Sequence, residues 1–266
     1  MDDALIDETG KRLGASALVF APHQDDETLA CGGTVIRKRR AGAPVALVFM
    51  TDGSTSHRRF MDEAALRSLR QAEALEAANV LGLSVDDVHF LGFPDGELKR
   101  SREAAVGKVR DLLSRYLPDE VYVPYGRDGL ADHESTHQAV LEALANANCE
   151  PEILEYPVWF WNRWPWVSQE ITLDRSGFHR LFRSLWRCFG RREFADFGSK
   201  VFVRDVLEQK MDALSRHRSQ MTVLMPGSGW PTLGEVSGGE FLRCFFQEYE
   251  VFRCSYPMGS TGPSGR

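Results

Sequence analysis

Residues 23–27 combine an imidazole with three carboxylates, in the order His23, Gln24, Asp25, Asp26, Glu27. The apolar run before them, residues 15–21, has the length of a buried strand, so they lie where that strand would pass into a helix. Three acids at a helix start could simply interact with the helix N-terminus, but this does not account for the histidine. A histidine three positions before an aspartate can place one nitrogen and one carboxylate oxygen on the same divalent ion. This mixed ligand set suits zinc.

Two further histidines, His133 and His137, follow a second predicted strand at residues 120–124. Because they lie one helical turn apart, either or both could bind a metal, or they could be a surface pair near a helix start. A catalytic zinc site needs three protein ligands and an open position. Open α/β sheets place ligands at the carboxyl ends of their strands, so we expect the two motifs to share one metal site.

Short apolar runs alternate with amphipathic stretches over the first 150 residues. The runs predict strands at residues 15–21, 44–50, 87–91 and 120–124. The stretches between and after them predict helices at residues 27–42, 62–81, 102–116 and 133–147. This alternation predicts an α/β fold, a Rossmann-like doubly wound and mostly parallel sheet with helices on both faces.

The composition changes after residue 151. Four of the six tryptophans lie within residues 159–166, and residues 171–193 are rich in arginine and aromatic side chains. We interpret residues 156–199 as an aromatic and basic insertion, or lid, within one domain spanning residues 1–266. The insertion could serve packing or a homo-oligomer contact, recognition of a sugar or phosphate, or binding at a membrane surface. A helix is predicted over residues 200–220, a closing segment over 238–252 and a frayed tail over 259–266.

The overall composition excludes several classes of protein. The chain of 266 residues is 43% hydrophobic and 26% charged, as expected for a globular protein rather than a disordered one. A formal net charge of -6 makes nucleic acid an unexpected partner. Five scattered cysteines without a C-x-x-C pair predict neither disulfides nor a thiolate zinc site. Without a run of about 18 apolar residues, we expect no transmembrane segment and a cytoplasmic location.

Several short motifs follow the first metal motif in order and end near residue 220. They are Gly32-Gly33-Thr34, Thr51-Asp52-Gly53, Arg70-Gln71-Ala72-Glu73 with Leu81-Gly82, Pro94-Asp95-Gly96, Asp132-His133 and His217-Arg218-Ser219-Gln220. Together with residues 23–27, which look like a His-Pro-Asp-Asp-Glu motif, they resemble the PIG-L/LmbE-like zinc-dependent N-deacetylases. Proteins of this family act mostly on N-acetylglucosamine-type amides, so the resemblance implies a small-molecule or glycoconjugate N-acetyl sugar as substrate.

The resemblance also implies roles for individual residues of the metal site. By position, His23, Asp26 and His133 would bind one zinc ion per chain, although another divalent metal could take its place. Asp25 would be the general base that takes a proton from the attacking water and returns it to the leaving amine. We predict that Asp132, directly before His133, is a catalytic residue together with Asp25.

Three further residues are implied in substrate binding. Arg70 and Asp95 resemble positions that contact sugar hydroxyls in the family, and His137 would lie just behind the metal ligands. The alternatives are an ion pair of Arg70 with Glu73 on a helix surface and a simple turn role for Asp95.

The chain departs from the family pattern at two positions. Gln24 replaces the usual proline, which we expect to relax the turn while leaving both ligands in place. Leu130 stands where the family has a histidine thought to stabilise the oxyanion, and leucine cannot donate a hydrogen bond. His137 or Arg127 could supply a donor instead, but the loss of one oxyanion donor can cost about 10²–10³ in turnover.

The sequence therefore favours a zinc-dependent hydrolase that removes an acetyl group from an amino sugar or a related N-acyl compound. Two alternatives remain open. One is a metal-dependent hydrolase of another bond, such as a phosphoester, which a site with two metal ions would favour. The other, motivated by Leu130, is a sugar-binding protein that retains the metal with reduced turnover.

Overall fold

The computed structural model describes residues 6–163, 165–168 and 196–255. The strands in this part of the chain are β1 (Ile6–Asp7), β2 (Ala17–Ala21), β3 (Val45–Thr51), β4 (Val88–Phe93), β5 (Glu120–Pro124), β6 (Glu152–Tyr156), β7 (Ser199–Phe202) and β8 (Tyr249–Ser255). The α-helices are α1 (Thr9–Arg12), α2 (Asp26–Arg40), α3 (Glu63–Val80), α4 (Arg102–Tyr116), α5 (Ala131–Leu144), α6 (Leu207–Ser215), α7 (Arg218–Met221) and α8 (Glu240–Arg243). None of these helices is long and apolar enough to cross a membrane.

The strands form one sheet in the order β1-β7-β8-β6-β5-β2-β3-β4. Neighbouring strands are parallel except for β8, which is antiparallel to both β6 and β7. From β2 the chain moves outward through β3 and β4, then returns to the other side of β2 with β5. The strand order therefore reverses between β2 and β5, and a crevice opens at the carboxyl ends of strands at such a switch point.

Helices cover both faces of the sheet, as predicted. Along β2, Leu18 and Phe20 belong to a core shared with α4 and α5, whereas Val19 belongs to a second core shared with α2, α3 and α6. Because both faces are covered, every residue of β2 and β3 is buried, and these strands read as continuous apolar runs. The predicted α/β fold is thus confirmed.

The first crossover helix, α2, packs against two later segments of the chain, at Val203 and Glu250. A Cβ on Gly33 would lie 2.6 Å from Val203 Cβ, so a larger residue would not fit there. The Gly33 and Thr34 N–H groups donate to the two carboxylate oxygens of Glu250 on β8, at 2.8 Å each. Glu250 also pairs with Lys210 of α6 at 2.8 Å. This buried cluster, with its hydrogen bonds satisfied, fixes α2 and therefore the turn before it.

The first four predicted strands and helices match the structure to within a few residues, but the later chain differs. The helix predicted over 200–220 was wrong at its start, because residues 199–202 form β7 and the helices there are α6 and α7. Four-residue β7 is held by its pairing with β1 and β8, which lie far away in sequence. The predicted closing segment contains α8 and the start of β8.

The aromatic part of the predicted insertion packs into the domain. Trp159 stacks on Phe241 with ring centroids 4.9 Å apart, and Trp161 meets Trp166 edge to face at 5.0 Å. These contacts support packing for residues 159–163 and 165–168. Trp164, the arginine-rich residues 171–193 and the tail at 259–266 lie outside the described residues.

Candidate metal and catalytic site

Two loops meet at the switch point of the sheet. The turn from β2 to α2 carries His23 and Asp25, Asp26 is the first residue of α2, and His133 lies in the first turn of α5. Asp26 Oδ2 lies 3.4 Å from His23 Nδ1 and 3.3 Å from His133 Nε2. Two imidazole nitrogens and one carboxylate oxygen thus converge, and together they could hold a metal ion.

The chemistry of these atoms fits a divalent metal. His133 is fully buried, and its Nε2 makes no hydrogen bond to any residue of the described chain. Leaving such a nitrogen unpaired costs about 1–3 kcal/mol, a cost that a coordinated ion removes. A set of two nitrogens and one carboxylate oxygen is suited to zinc, iron or cobalt.

The outer nitrogen of each histidine faces a carboxylate. His23 Nε2 lies 3.2 Å from Asp95 Oδ1 and 3.4 Å from Asp132 Oδ2. His133 Nδ1 lies 2.8 Å from Asp128 Oδ2. Histidines that bind metals usually have such a partner, which fixes the orientation of the ring and raises its basicity as a ligand.

Asp128 is a residue of this site that the sequence analysis missed. Its fully buried carboxylate accepts the backbone N–H groups of Val158, Trp159 and Phe160, each at 2.9 Å. Three donors from a loop about thirty residues away therefore hold the carboxylate against His133. Its neighbours in sequence contain no signal for this role, because the donors come from the chain after β6.

We expect Asp128→Asn to weaken metal binding about 10–100-fold, the usual effect of losing such a partner. The new amide would present an N–H group to His133 Nδ1 in place of a carboxylate oxygen. Affinity can be measured by competition with a chelator, with Asp111→Asn on the exposed face of α4 as the matched control. If Asp128→Asn is folded, as judged by a cooperative thermal unfolding transition, and its metal affinity is unchanged, then Asp128 serves only to hold the loop after β6.

The adjacent carboxylates Asp25 and Asp26 have different environments. Burial alone would raise the pKa of Asp26, but the His133 and His23 imidazoles hold it well below its usual range. Burial raises the pKa of Asp25 to about 7, and the Asp26 carboxylate contributes to the increase. One carboxylate is therefore paired and the other remains available as a base.

His23, Asp25 and Asp26 open into a cavity of about 360 Å³. Arg70 and Asp95 also line it. Buried Arg70 donates to Ser56 Oγ at 2.7 Å, and Asp95 accepts the N–H and hydroxyl of Thr55 at 2.9 and 2.8 Å. Leu29, Leu130, Trp159, Leu233 and Val236 form an apolar part of the lining.

Two predicted site residues lie behind this lining. Asp132 accepts the backbone N–H groups of Gly96 and Leu98, at 2.7 and 3.2 Å, and so ties α5 to the loop after β4. His137 Nε2 lies 3.3 Å from Glu155, and a Cβ on Gly126 would approach the His137 ring to 2.8 Å. The structure thus brings Arg70 and Asp95 to the cavity but places His137 away from it.

Gln24 does not leave the turn loose. Its buried side-chain amide donates to the Thr51 backbone carbonyl at 2.9 Å, and the backbone carbonyl of Gln24 accepts a hydrogen bond from the Gln220 side chain. A proline could not make the first of these bonds. The turn is therefore not relaxed as we expected. Instead, Gln24 connects the end of β2 with β3 and α7.

Comparison with known proteins identifies the family. Residues 18–144 match the PIG-L family, described as GlcNAc-PI de-N-acetylase. A 1D-myo-inositol 2-acetamido-2-deoxy-alpha-D-glucopyranoside deacetylase of Mycobacterium sp. (strain JLS) is 30% identical over 260 residues, which cover 85% of this chain and 80% of that protein. A diacetylchitobiose deacetylase of Thermococcus kodakarensis is 31% identical over 213 residues, 76% of this chain and 69% of that protein. The chain belongs to the PIG-L family.

Solved structures show the same fold. The N,N'-diacetylchitobiose deacetylase of Pyrococcus horikoshii superposes with a TM-score of 0.65 at 22% identity. The match covers 94% of this chain and 86% of the other.

Proposed function

We propose that this protein is a zinc-dependent hydrolase that removes the acetyl group from an N-acetylated amino sugar or a related glycoconjugate. The convergence of His23, Asp26 and His133 beside the free carboxylate of Asp25 carries the proposal. The similarity to deacetylases of N-acetylated sugars supports it.

Each residue of the site has a role in this reaction. His23, Asp26 and His133 would hold the zinc ion, which polarises the amide carbonyl and makes water a better nucleophile at neutral pH. Asp25 takes the proton from the attacking water and passes it to the leaving nitrogen, so that the products are acetate and a free amine. Asp128, and Asp95 with Asp132, hold the rings of His133 and His23 in place.

The cavity has a polar part and an apolar part, which would contact different groups of the substrate. Arg70 and Asp95 present a cation and a carboxylate to hydroxyl groups of a sugar, which can hydrogen-bond to both. Leu130, 38% exposed at the start of α5, presents only an apolar surface. A cytoplasmic location is also proposed, supported by the four described cysteines, which are all free.

The function is tested by measuring metal content together with acetate release from N-acetylglucosamine derivatives. We expect about one zinc ion per chain and a rate that is lost with a chelator and restored by added zinc. Two metal ions per chain, with phosphate released from a phosphoester and no acetate from any N-acetyl sugar, would favour the alternative hydrolase. Metal binding without any turnover would favour a sugar-binding protein.

We expect Leu130→His to increase kcat at least about tenfold, since a single oxyanion donor contributes about 10²–10³ in acyl-transfer enzymes. The side chain at this position lines the cavity and belongs to the N-cap residue of α5, three positions before His133. The measurement is steady-state acetate release, with Leu130→Met as a control of similar volume that lacks a donor. Equal rates in all three proteins would mean that another group already stabilises the oxyanion.

A further inference from the structure

Asp25 has an unusual backbone conformation. Its φ of 145° with ψ of -28° lies outside the regions that residues with a Cβ favour. The other non-glycine residues of positive φ in the described chain, Leu117 and Ser237, have φ of 43° and 49°, in the left-handed helical region. A conformation like that of Asp25 persists only when surrounding contacts impose it.

The Asp25 side chain also does not cap the helix that follows it. It is the N-cap residue of α2, where an aspartate side chain normally accepts the backbone N–H of the first helical turn. Here the side chain makes no such bond, and it lines the cavity instead. The strained backbone therefore keeps the carboxylate away from the helix N-terminus.

Glu27 contacts this backbone directly. Its Oε2 accepts the backbone N–H of Asp25 at 2.9 Å. Its Oε1 accepts the Thr28 hydroxyl at 2.6 Å and lies 3.1 Å from His217 Nε2. Glu27 and His217 are both buried, at 0% and 1% exposure, and His217 comes from the distant segment before α7. The carboxylate of Glu27 is thus held at both oxygens.

We propose that Glu27 and His217 form a positioning clamp, which holds the Asp25 backbone in its strained conformation and so directs the Asp25 carboxylate into the cavity. The clamp rests on the proposed function only for its effect on turnover, since its effect on the backbone is independent of any reaction. Without it, Asp25 can relax to an ordinary N-cap, where its carboxylate bonds to the helix and no longer reaches a substrate.

The kinetic test compares two substitutions of Glu27. Glu27→Ala is expected to lower kcat about 10–100-fold, with KM and metal content unchanged, because the base is misplaced while the ligands remain. Glu27→Gln keeps an oxygen for the Asp25 N–H, but its amide must donate to His217 and Thr28 instead of accepting from them, so kcat should recover in part and lie clearly above that of Glu27→Ala. We expect His217→Ala to lower kcat in the same way as Glu27→Ala, but by a smaller factor. If Glu27→Gln is as impaired as Glu27→Ala, the clamp is overturned.

A second test does not depend on activity. Glycine tolerates positive φ, so Asp25→Gly should melt about 2–6 °C above Asp25→Ala while Glu27 is present. In the Glu27→Ala background the backbone is free to relax, and this difference should disappear. The same pair of substitutions at Leu117 is the control, and its difference should be independent of Glu27.

The outcomes separate the clamp from the proposed function. If the difference between glycine and alanine at position 25 persists in Glu27→Ala, the strain arises elsewhere and the clamp is wrong. If the melting temperatures behave as expected but Asp25→Asn still releases acetate at the parent rate, the clamp stands and the proposed role of Asp25 fails.

Discussion

Asp25→Asn is expected to lower kcat for acetate release about 10²–10⁴-fold, the usual contribution of a positioned general base. Asparagine has nearly the same shape, but its amide cannot take the proton of the attacking water. Because the metal would be held by His23, Asp26 and His133, the variant should retain its full metal content. The loss should therefore appear in kcat with little change in metal or substrate binding.

The pH dependence gives this prediction a second measurement. Asp25 must be deprotonated to act as a base, and its pKa is raised to about 7. A bound cation would lower that pKa, so in the parent protein we expect an acidic limb, a fall in kcat/KM with decreasing pH, centred below about pH 7. The acidic limb should be absent from the residual activity of Asp25→Asn. The exposed Asp86→Asn is the matched control. An unchanged rate and limb in Asp25→Asn would assign the base to another residue.

His133→Ala is expected to reduce the metal content from about one ion per chain to less than about 0.1. The substitution removes one of the three proposed ligands and leaves a space beside Asp26, whose Oδ2 lies 3.3 Å from His133 Nε2. Two remaining ligands cannot fix the geometry that a transition metal requires. Elemental analysis after gel filtration measures the loss directly, and acetate release should fall with it.

His137→Ala provides the matched control for this experiment. His137 lies one turn further along α5, but its Nε2 faces Glu155 rather than the converging ligand atoms. We therefore expect this variant to keep its metal. If His133→Ala retained the ion, or if His137→Ala lost it, the ligand set would need to be reassigned.

The sequence could predict that the three proposed metal ligands lie close together, because their signals are local. A strand that ends in a histidine and an aspartate, and a second strand followed by a histidine at a helix start, already place both ligand groups at one edge of a parallel sheet. The residues that support them could not be found in this way. Asp128 and Glu27 acquire their roles from Val158 and His217, which lie far away in sequence and approach only through the folded sheet.

The same distinction explains the errors in the predicted secondary structure. Buried β2 is apolar throughout and buried β3 is apolar up to its last residue, Thr51, so their sequences alone indicate strands. By contrast, β7 has only four residues, and β8 buries Glu250 and Phe252 but leaves its other residues partly exposed. Their strand conformation depends on pairing with each other, and such pairing is not encoded in either segment by itself.

The antiparallel position of β8 has a consequence for the order of folding during synthesis. Among the described strands it is the last to leave the ribosome, yet it lies between β6 and β7 and is the partner that joins them. Until residues 249–255 have been translated, β6 presents an open edge, and β1 with β7 has no sheet to join. Glu250 on the same strand supplies the carboxylate that anchors α2. The nascent chain therefore already carries His23, Asp26 and His133 well before the strand that secures their support arrives.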